Sequence, residues 1–212
     1  IVELSAQETP IMDGSSNSFL YLLEQAGIAE QSAKKRYIRI KQEIEVKDEA
    51  ANKWVKFVPF AGYKVKIITD FGGHPVFKEE YSTFEADFSK HSYIDEISRA
   101  RTFGFMYEVE YMRKNGLGLG GNLNNAIVLD EESVLNEGGL RFPDEMVRHK
   151  ILDAIGDLYI IGHQFIGAFE GYRSGHAINN QLLRKLLANP DTWEYVTFDD
   201  PDDVPPSFHY IR

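Results

Sequence analysis

From Phe142 to Gly162, FPDEMVRHKILDAIGDLYIIG, apolar residues recur at the helical period. At about 100° of rotation per residue, Val147, Ile151, Ala154, Leu158 and Ile161 share one face, which predicts a helix with a core-facing stripe. His149, Asp153 and Asp157 fall on another face at spacing i, i+4, i+8, with Lys150 at their flank. A column of one nitrogen donor and two carboxylates can hold a divalent metal, so one helix predicts both a core and a site.

Around it the pattern alternates between strand and helix periods. Residues 1 to 6, IVELSA, alternate like a strand, and Thr9-Pro10 and IMDG then signal a turn. Phe19 to Ala26 have helical spacing, with Ser15 to Ser18 as caps and Gly27 as the stop. The polar stretch EQSAKKR reads as a linker, with a boundary near Ala33. YIRIKQEIEV, KWVKFVPF, YKVKIITDF and YSTFEADF follow as strands of an antiparallel meander with one wet face, and FGGHPVF is a loop. Tyr93 to Thr102 is amphipathic, and Glu108 to Lys114 is a short helix stopped at Asn115-Gly116. Residues 126 to 141 predict a hairpin. IGAFEGYRS predicts a strand, and AINNQLLRKLLA a helix opened by Ser174-Gly175-His176 and closed at Asn189-Pro190. The proline-rich acidic tail, DDPDDVPPSF, reads as a solvated end. Because the sequence starts at Ile1 on an apparent strand, it is expected to begin inside a fold.

Composition narrows the chemistry. A chain of 212 residues with 43% hydrophobic residues can bury a substantial core. Its net charge of -10 excludes a nucleic-acid surface, which needs a basic footprint. The absence of cysteine removes disulfides, thiolate metal sites and a thiol nucleophile, and fits a reducing compartment. No apolar run is long enough to span a bilayer and no signal peptide is visible; a cytoplasmic location and a monomer are the expectations.

Each candidate site has an ordinary structural reading beside it. His149 and Asp153 at i, i+4 can be a simple ion pair on a helix. His176, at the start of the next predicted helix, can instead be a free acid beside a metal-activated water. The other histidines, His74, His91, His163 and His209, read as structural. Thr102 is either a hydroxyl bonded to backbone or a donor to an oxyanion. Lys150 and Arg173 are solvent charges by default, yet in so acidic a chain they are the cations an anionic substrate would use. Met106, Val109, Met112, Leu123, Ala126 and Val128 read as core, with an apolar channel as the alternative. Gly116, Gly118 and Gly121 match G-x-G-x-x-G, but a helix precedes them and a strand follows, the reverse of a dinucleotide site, so a flexible loop is expected.

Six strings, PIMDGSS, ISRARTFGFM, LGLGGNLNNAIV, VLNEGGLRF, VRHKILDAIGD and SGHAINNQLL, together closely resemble the UDP-3-O-acyl-N-acetylglucosamine deacetylase family, zinc enzymes of lipid A biosynthesis. The resemblance covers nearly the whole chain. It implies an α+β fold in which two domains, each a sheet with two helices, form a β-α-α-β sandwich around Zn2+. Residues 1–33 would be the last strand and helix of the first domain. Residues 34–212 would form the second, a two-layer sheet-plus-helices domain with an inserted β-α-β unit at about 104–134. The resemblance makes His149 and Asp153 zinc ligands, His176 the general acid, Asp157 the carboxylate that orients it, and Thr102 the oxyanion donor. It places Lys150 and Arg173 at the nucleotide end, Arg173 standing where the family carries lysine. Phe103 and the apolar set from Met106 to Val128 would line the acyl-chain tunnel. The family's third ligand and general base, an adjacent Glu-His in the first domain, have no match in this sequence. The implied partners are the substrate UDP-3-O-acyl-N-acetylglucosamine and the missing N-terminal domain. The alternative is a non-catalytic, metal-free fragment that binds a nucleotide sugar through Lys150 and Arg173 or is purely structural.

Overall fold

The computed structural model describes residues 2–6, 8–77 and 81–209. In chain order the elements are α1 (Asn17–Ala26), β1 (Tyr37–Ile40), β2 (Ile44–Asp48), β3 (Lys53–Val58), β4 (Tyr63–Asp70) and β5 (Tyr81–Asp87). A single π turn, Tyr93–Ile97, leads to β6 (Phe103–Phe105), α2 (Met106–Lys114) and β7 (Ile127–Leu129). Then come α3 (Glu145–Tyr159), β8 (Gln164–Tyr172), α4 (His176–Leu187) and β9 (Trp193–Val196). The fold is α+β.

The strand QFIGAFEGY is almost continuously apolar, as befits a strand covered on both faces, and it forms the centre of the main sheet. Its first residues pair in parallel with β1 (Ile38↔Phe165), and the rest lies between β3, antiparallel (Phe57↔Phe169), and β4, parallel (Ile67↔Gly171). The expected sequential meander is therefore wrong. Hairpins β2–β3 and β4–β5 form as alternation predicts, but β8 separates them. Helices α3 and α4 pack side by side on the sheet, where Val147, Ile151, Ala154 and Leu158 join Phe57, Ile67, Phe169, Leu182 and Leu186 in one buried core. Ile161 lies past the end of α3 and is only partly buried.

A second unit sits beside this core. β6 and β7 pair in parallel, with α2 and the glycine-rich loop as the crossover, and they enclose a small cluster around Ile127, Leu129 and Met146. AIVLD thus pairs with Phe103–Phe105, and the predicted hairpin partner contributes only the bridge Leu129↔Val134. The glycine loop is laced together by its asparagines: Asn125 donates to Gly120 O (2.9 Å), and Asn136 donates to Leu123 O and Ala126 O (2.8 Å each). A helix precedes this loop and a strand follows, as the sequence indicates.

Other expectations change. Val2–Ala6 form no strand, for no described strand pairs with them; Ile1 lies outside the described residues. Ser16 does not cap α1 with its side chain; its hydroxyl donates to Ser98 O (3.1 Å) and bonds the Tyr93 hydroxyl. The tail is solvated over its acidic residues 199–203 but docked at its end. Phe208 lies 4.9 Å from the Tyr37 ring, and the Ser207 hydroxyl accepts from Tyr63 N (3.1 Å). Residues Trp193–Val196 add the edge strand β9 beside β1.

Where β1 meets β8, a Cβ on Gly167 would stand 2.6 Å from Ile40 Cγ1 and 3.0 Å from Ile40 Cβ, and Ile40 is itself buried. Gly167→Ala should therefore lower stability by about 1–3 kcal/mol, read as a fall in the urea midpoint. Gly156→Ala, in the exposed interior of α3 with open space around it, should raise stability by roughly 0.5–1 kcal/mol in the same assay.

Candidate functional site

The site is built on α3 and on the segment Ser98–Thr102 that crosses it. Glu145, in the first turn of α3, is completely buried. Its carboxylate accepts from Arg101 N and Nε (2.9 Å each), Arg101 Nη2 (3.1 Å) and Arg141 N (2.6 Å). Burial alone would raise its pKa. The hydrogen bonds from the Arg101 side chain and from both backbone N–H groups prevail and hold it below the usual carboxylate range. One turn later His149, also buried, meets the same segment: its Nδ1 bonds Ala100 O at 2.9 Å. A carbonyl only accepts, so Nδ1 carries a proton and the other ring nitrogen, Nε2, is turned away from this segment. Nε2 lies 3.3 Å from Asp153 Oδ1. A ring nitrogen fixed through a backbone carbonyl, next to a carboxylate, is how proteins present histidine to a cation.

Asp157 leaves the column. Both its oxygens lie 2.9 Å from His176 Nδ1, and Oδ2 also accepts from Asn179 Nδ2 at 2.9 Å. Among the described residues, no three His, Cys, Asp or Glu side chains converge as a metal-binding group. His149 and Asp153 are two donors side by side that could hold part of a metal's coordination shell.

His149, Asp153, His176, Lys150, Arg173, Thr102 and Phe103 line one polar cleft of about 390 Å³, along with Asp70 and Glu108. Lys150 Nζ donates to Ser174 O (3.3 Å) and sits 5.9 Å from the centre of the Phe103 ring. Arg173 adopts a left-handed conformation (φ 49°), with its N–H on Ile68 O, and lies near Asp70. Thr102 is fixed by both backbone groups: N donates to Gly14 O (2.7 Å) and O accepts from Ile127 N (2.8 Å). Its hydroxyl has no hydrogen-bond partner among the described residues.

Thr102 and Phe103 also line a second, apolar cavity of about 380 Å³. Its walls include Met106, Val109, Met112, Leu123, Ala126 and Val128. The reading of this set as core holds for Val128, which is buried, and is corrected for the rest: α2 has no buried residue, and Met112 and Leu123 are exposed, because the β6–α2–β7 crossover leaves a hollow. Cleft and cavity meet at two consecutive residues.

The remaining histidines stay outside the cleft. His74 Nε2 bonds Asp130 O (2.6 Å), His91 Nδ1 bonds Asp87 backbone, His209 Nε2 bonds Val204 O, and His163 packs edge-on against Tyr195. Sequence reasoning missed Glu145, Asn179, Asp70 and Glu108. Asp70, before Gly72-Gly73, carried a visible turn signal, and its carboxylate indeed accepts from Gly72 N (2.8 Å).

Fold and site together define an α+β protein whose central helix presents a His/Asp pair in a polar cleft that adjoins an apolar cavity. The family model for LpxC, UDP-3-O-acyl N-acetylglycosamine deacetylase, matches residues 1–188. The chain is 60% identical over 211 residues to a UDP-3-O-acyl-N-acetylglucosamine deacetylase of Chromobacterium violaceum, aligning 100% of its own length with 68% of that protein. It is 61% identical over 212 residues to the protein of that name in Neisseria meningitidis serogroup A, again 100% against 68%. For that of Thioalkalivibrio sulfidiphilus the figure is 54% over 205 residues, 97% against 66%. The chain belongs to the UDP-3-O-acyl N-acetylglycosamine deacetylase family.

Removing the charge of Glu145 leaves Arg101 buried and unpaired, so Glu145→Gln should cost about 3–5 kcal/mol of unfolding free energy. Because the folded-state pKa is lowered, the stabilisation from Glu145 is complete above the unfolded value of about 4.3 and is lost as pH falls through the folded value beneath it. An acid series of urea melts should show that limb in the wild type and a flatter one in Glu145→Gln.

Proposed function

We propose that this chain is the catalytic C-terminal portion of a zinc-dependent deacetylase. The reaction is hydrolysis of the acetamide of UDP-3-O-acyl-N-acetylglucosamine, with release of acetate, in lipid A biosynthesis. The observation that carries the reading is the junction at Thr102 and Phe103, where the cleft holding His149 and Asp153 adjoins a cavity sized for an alkyl chain. The names of the relatives agree with it. In this reading residues 1–33 belong to the first domain of a β-α-α-β sandwich and residues 34–212 to the second, with the acyl-chain insert at about 104–134. No described helix is long and apolar enough to cross a membrane, and a monomer in the cytoplasm is part of the proposal.

His149 Nε2 and Asp153 are two zinc ligands, and the third, with the glutamate base, comes from sequence outside these 212 residues. Bound zinc would supply Lewis-acid polarisation of the acetamide carbonyl and acidify a water. The Thr102 hydroxyl points its proton at the oxygen where negative charge develops. Asp157 accepts the Nδ1–H of His176, which leaves Nε2 to deliver a proton to the departing sugar nitrogen as the C–N bond breaks. Lys150 and Arg173 offset the charge of the diphosphate, and the cavity from Met106 to Val128 shelters the acyl chain from water.

A metal-free nucleotide-sugar-binding chain is the competing reading, favoured by the two-ligand count among the described residues. Zinc titration separates them. This chain alone should bind zinc weakly through His149 and release little or no acetate. In the full-length enzyme, His149→Ala should lose both metal and activity, whereas His176→Ala should keep zinc and lose about 10²- to 10⁴-fold in kcat. Unaltered zinc stoichiometry in His149→Ala would sink the assignment.

A further inference from the structure

We propose that Asn179 is a positioning residue for the Asp157–His176 pair. The proposal rests on the deacetylase reading only for what His176 does once it is held. Asn179 lies three residues after His176 in α4, so the two side chains share a face and both reach Asp157 on α3. Asn179 is 1% exposed, and its neighbours in the helix, Ile178, Leu182, Leu183 and Leu186, are buried apolar residues. An apolar side chain would be the ordinary choice here.

The amide has a fixed sense. Nδ2 lies 2.9 Å from Asp157 Oδ2, and the flipped amide would set oxygen against carboxylate oxygen. In that sense Oδ1 is buried with no hydrogen-bond partner among the described residues. A buried orphan acceptor carries the desolvation penalty of a lost hydrogen bond. The fold thus tolerates an unsatisfied atom at a position where leucine would carry no such penalty, and what it gains is a second donor to Asp157.

That donor matters because of where His176 sits. The His176 side chain is 76% exposed, and an ion pair so open to water is weak and orientationally loose. Asn179 holds Oδ2 from the buried side, which fixes the carboxylate plane independently of the imidazole. His176 then meets an acceptor already in place for Nδ1–H, and its Nε2 is left for the cleft that His176 lines. Asn179 acts through Asp157 and does not itself line that cleft.

Two measurements test this. In ¹⁵N–¹H NMR of this chain, at a pH where the ring is neutral, His176 should be the Nδ1–H tautomer in the wild type and a mixture in Asn179→Leu. In the full-length zinc enzyme, Asn179→Leu should lower kcat by about 10- to 100-fold, as loss of an outer-shell partner does, with KM, zinc content and melting temperature maintained. In an Asp157→Ala background the same substitution should have no further effect, since its route runs through Asp157. Effects that add across that cycle, or an unchanged tautomer, would overturn the proposal. Asn179→Ala, which removes the donor without adding bulk, gives the same readings should leucine prevent folding. If Asp157→Ala itself leaves kcat untouched, the role given to His176 fails, and the tautomer measurement still decides Asn179.

Discussion

The carboxylate of Glu145 is the point on which the site depends. Buried at the start of α3, it gathers donors from Arg101 and Arg141, and so ties the helix to the segments on either side of it. Arg141 continues outward to Asp13 (2.9 Å) and Arg99 O (2.9 Å), which brings in the turn before α1. Gly14 in that turn binds Thr102 N, and a Cβ there would fall 1.6 Å from Asn125 O, so only glycine allows the turn to approach the glycine loop. Thr102 and the Ala100 carbonyl behind His149 are therefore placed by one connected set of bonds, charge-assisted at Glu145 and Arg141 and backbone to backbone at Thr102.

This arrangement explains why one helix serves two purposes. The stripe from Val147 to Leu158 is locked against the sheet, and a locked stripe fixes the rotation of α3 about its axis. His149 and Asp153 then point into the cleft, with the Ala100 carbonyl holding the His149 ring. Asp157, one turn further on, lies within reach of α4, and the packing of the two helices becomes the geometry of the Asp157–His176 pair. Core packing and site geometry are the same contacts seen from two faces.

Periodicity in the sequence disclosed the elements well, because α3, α4 and the strands β2 to β5 are each amphipathic or alternating on their own. Pairing was less legible. Nothing in QFIGAFEGY says which strands it will separate, since partners of a central strand are set by long-range contacts. The end of the tail misled for a related reason: the acidic and proline residues before it conceal Phe208, which docks on Tyr37. Of the site, His149, Asp153 and His176 were readable from spacing, and the roles given to them came from family resemblance. Glu145 and Asn179 were not readable, because a buried glutamate at a helix start and an asparagine on an apolar face look, in one dimension, like a solvated first turn and a tolerated polar residue.

The placement of β8 also orders events in time. Residues Gln164–Tyr172 are made late, yet β1, β3 and β4 all pair with them. The two local hairpins form from near neighbours and can arise early, each with an edge still open. Closure of the sheet waits on a strand more than a hundred residues away from Lys53–Val58, a pairing with a large loop-closure entropy and hence a slow step. Until β8 is made, the hairpins present unpaired edges of the kind that pair with other chains.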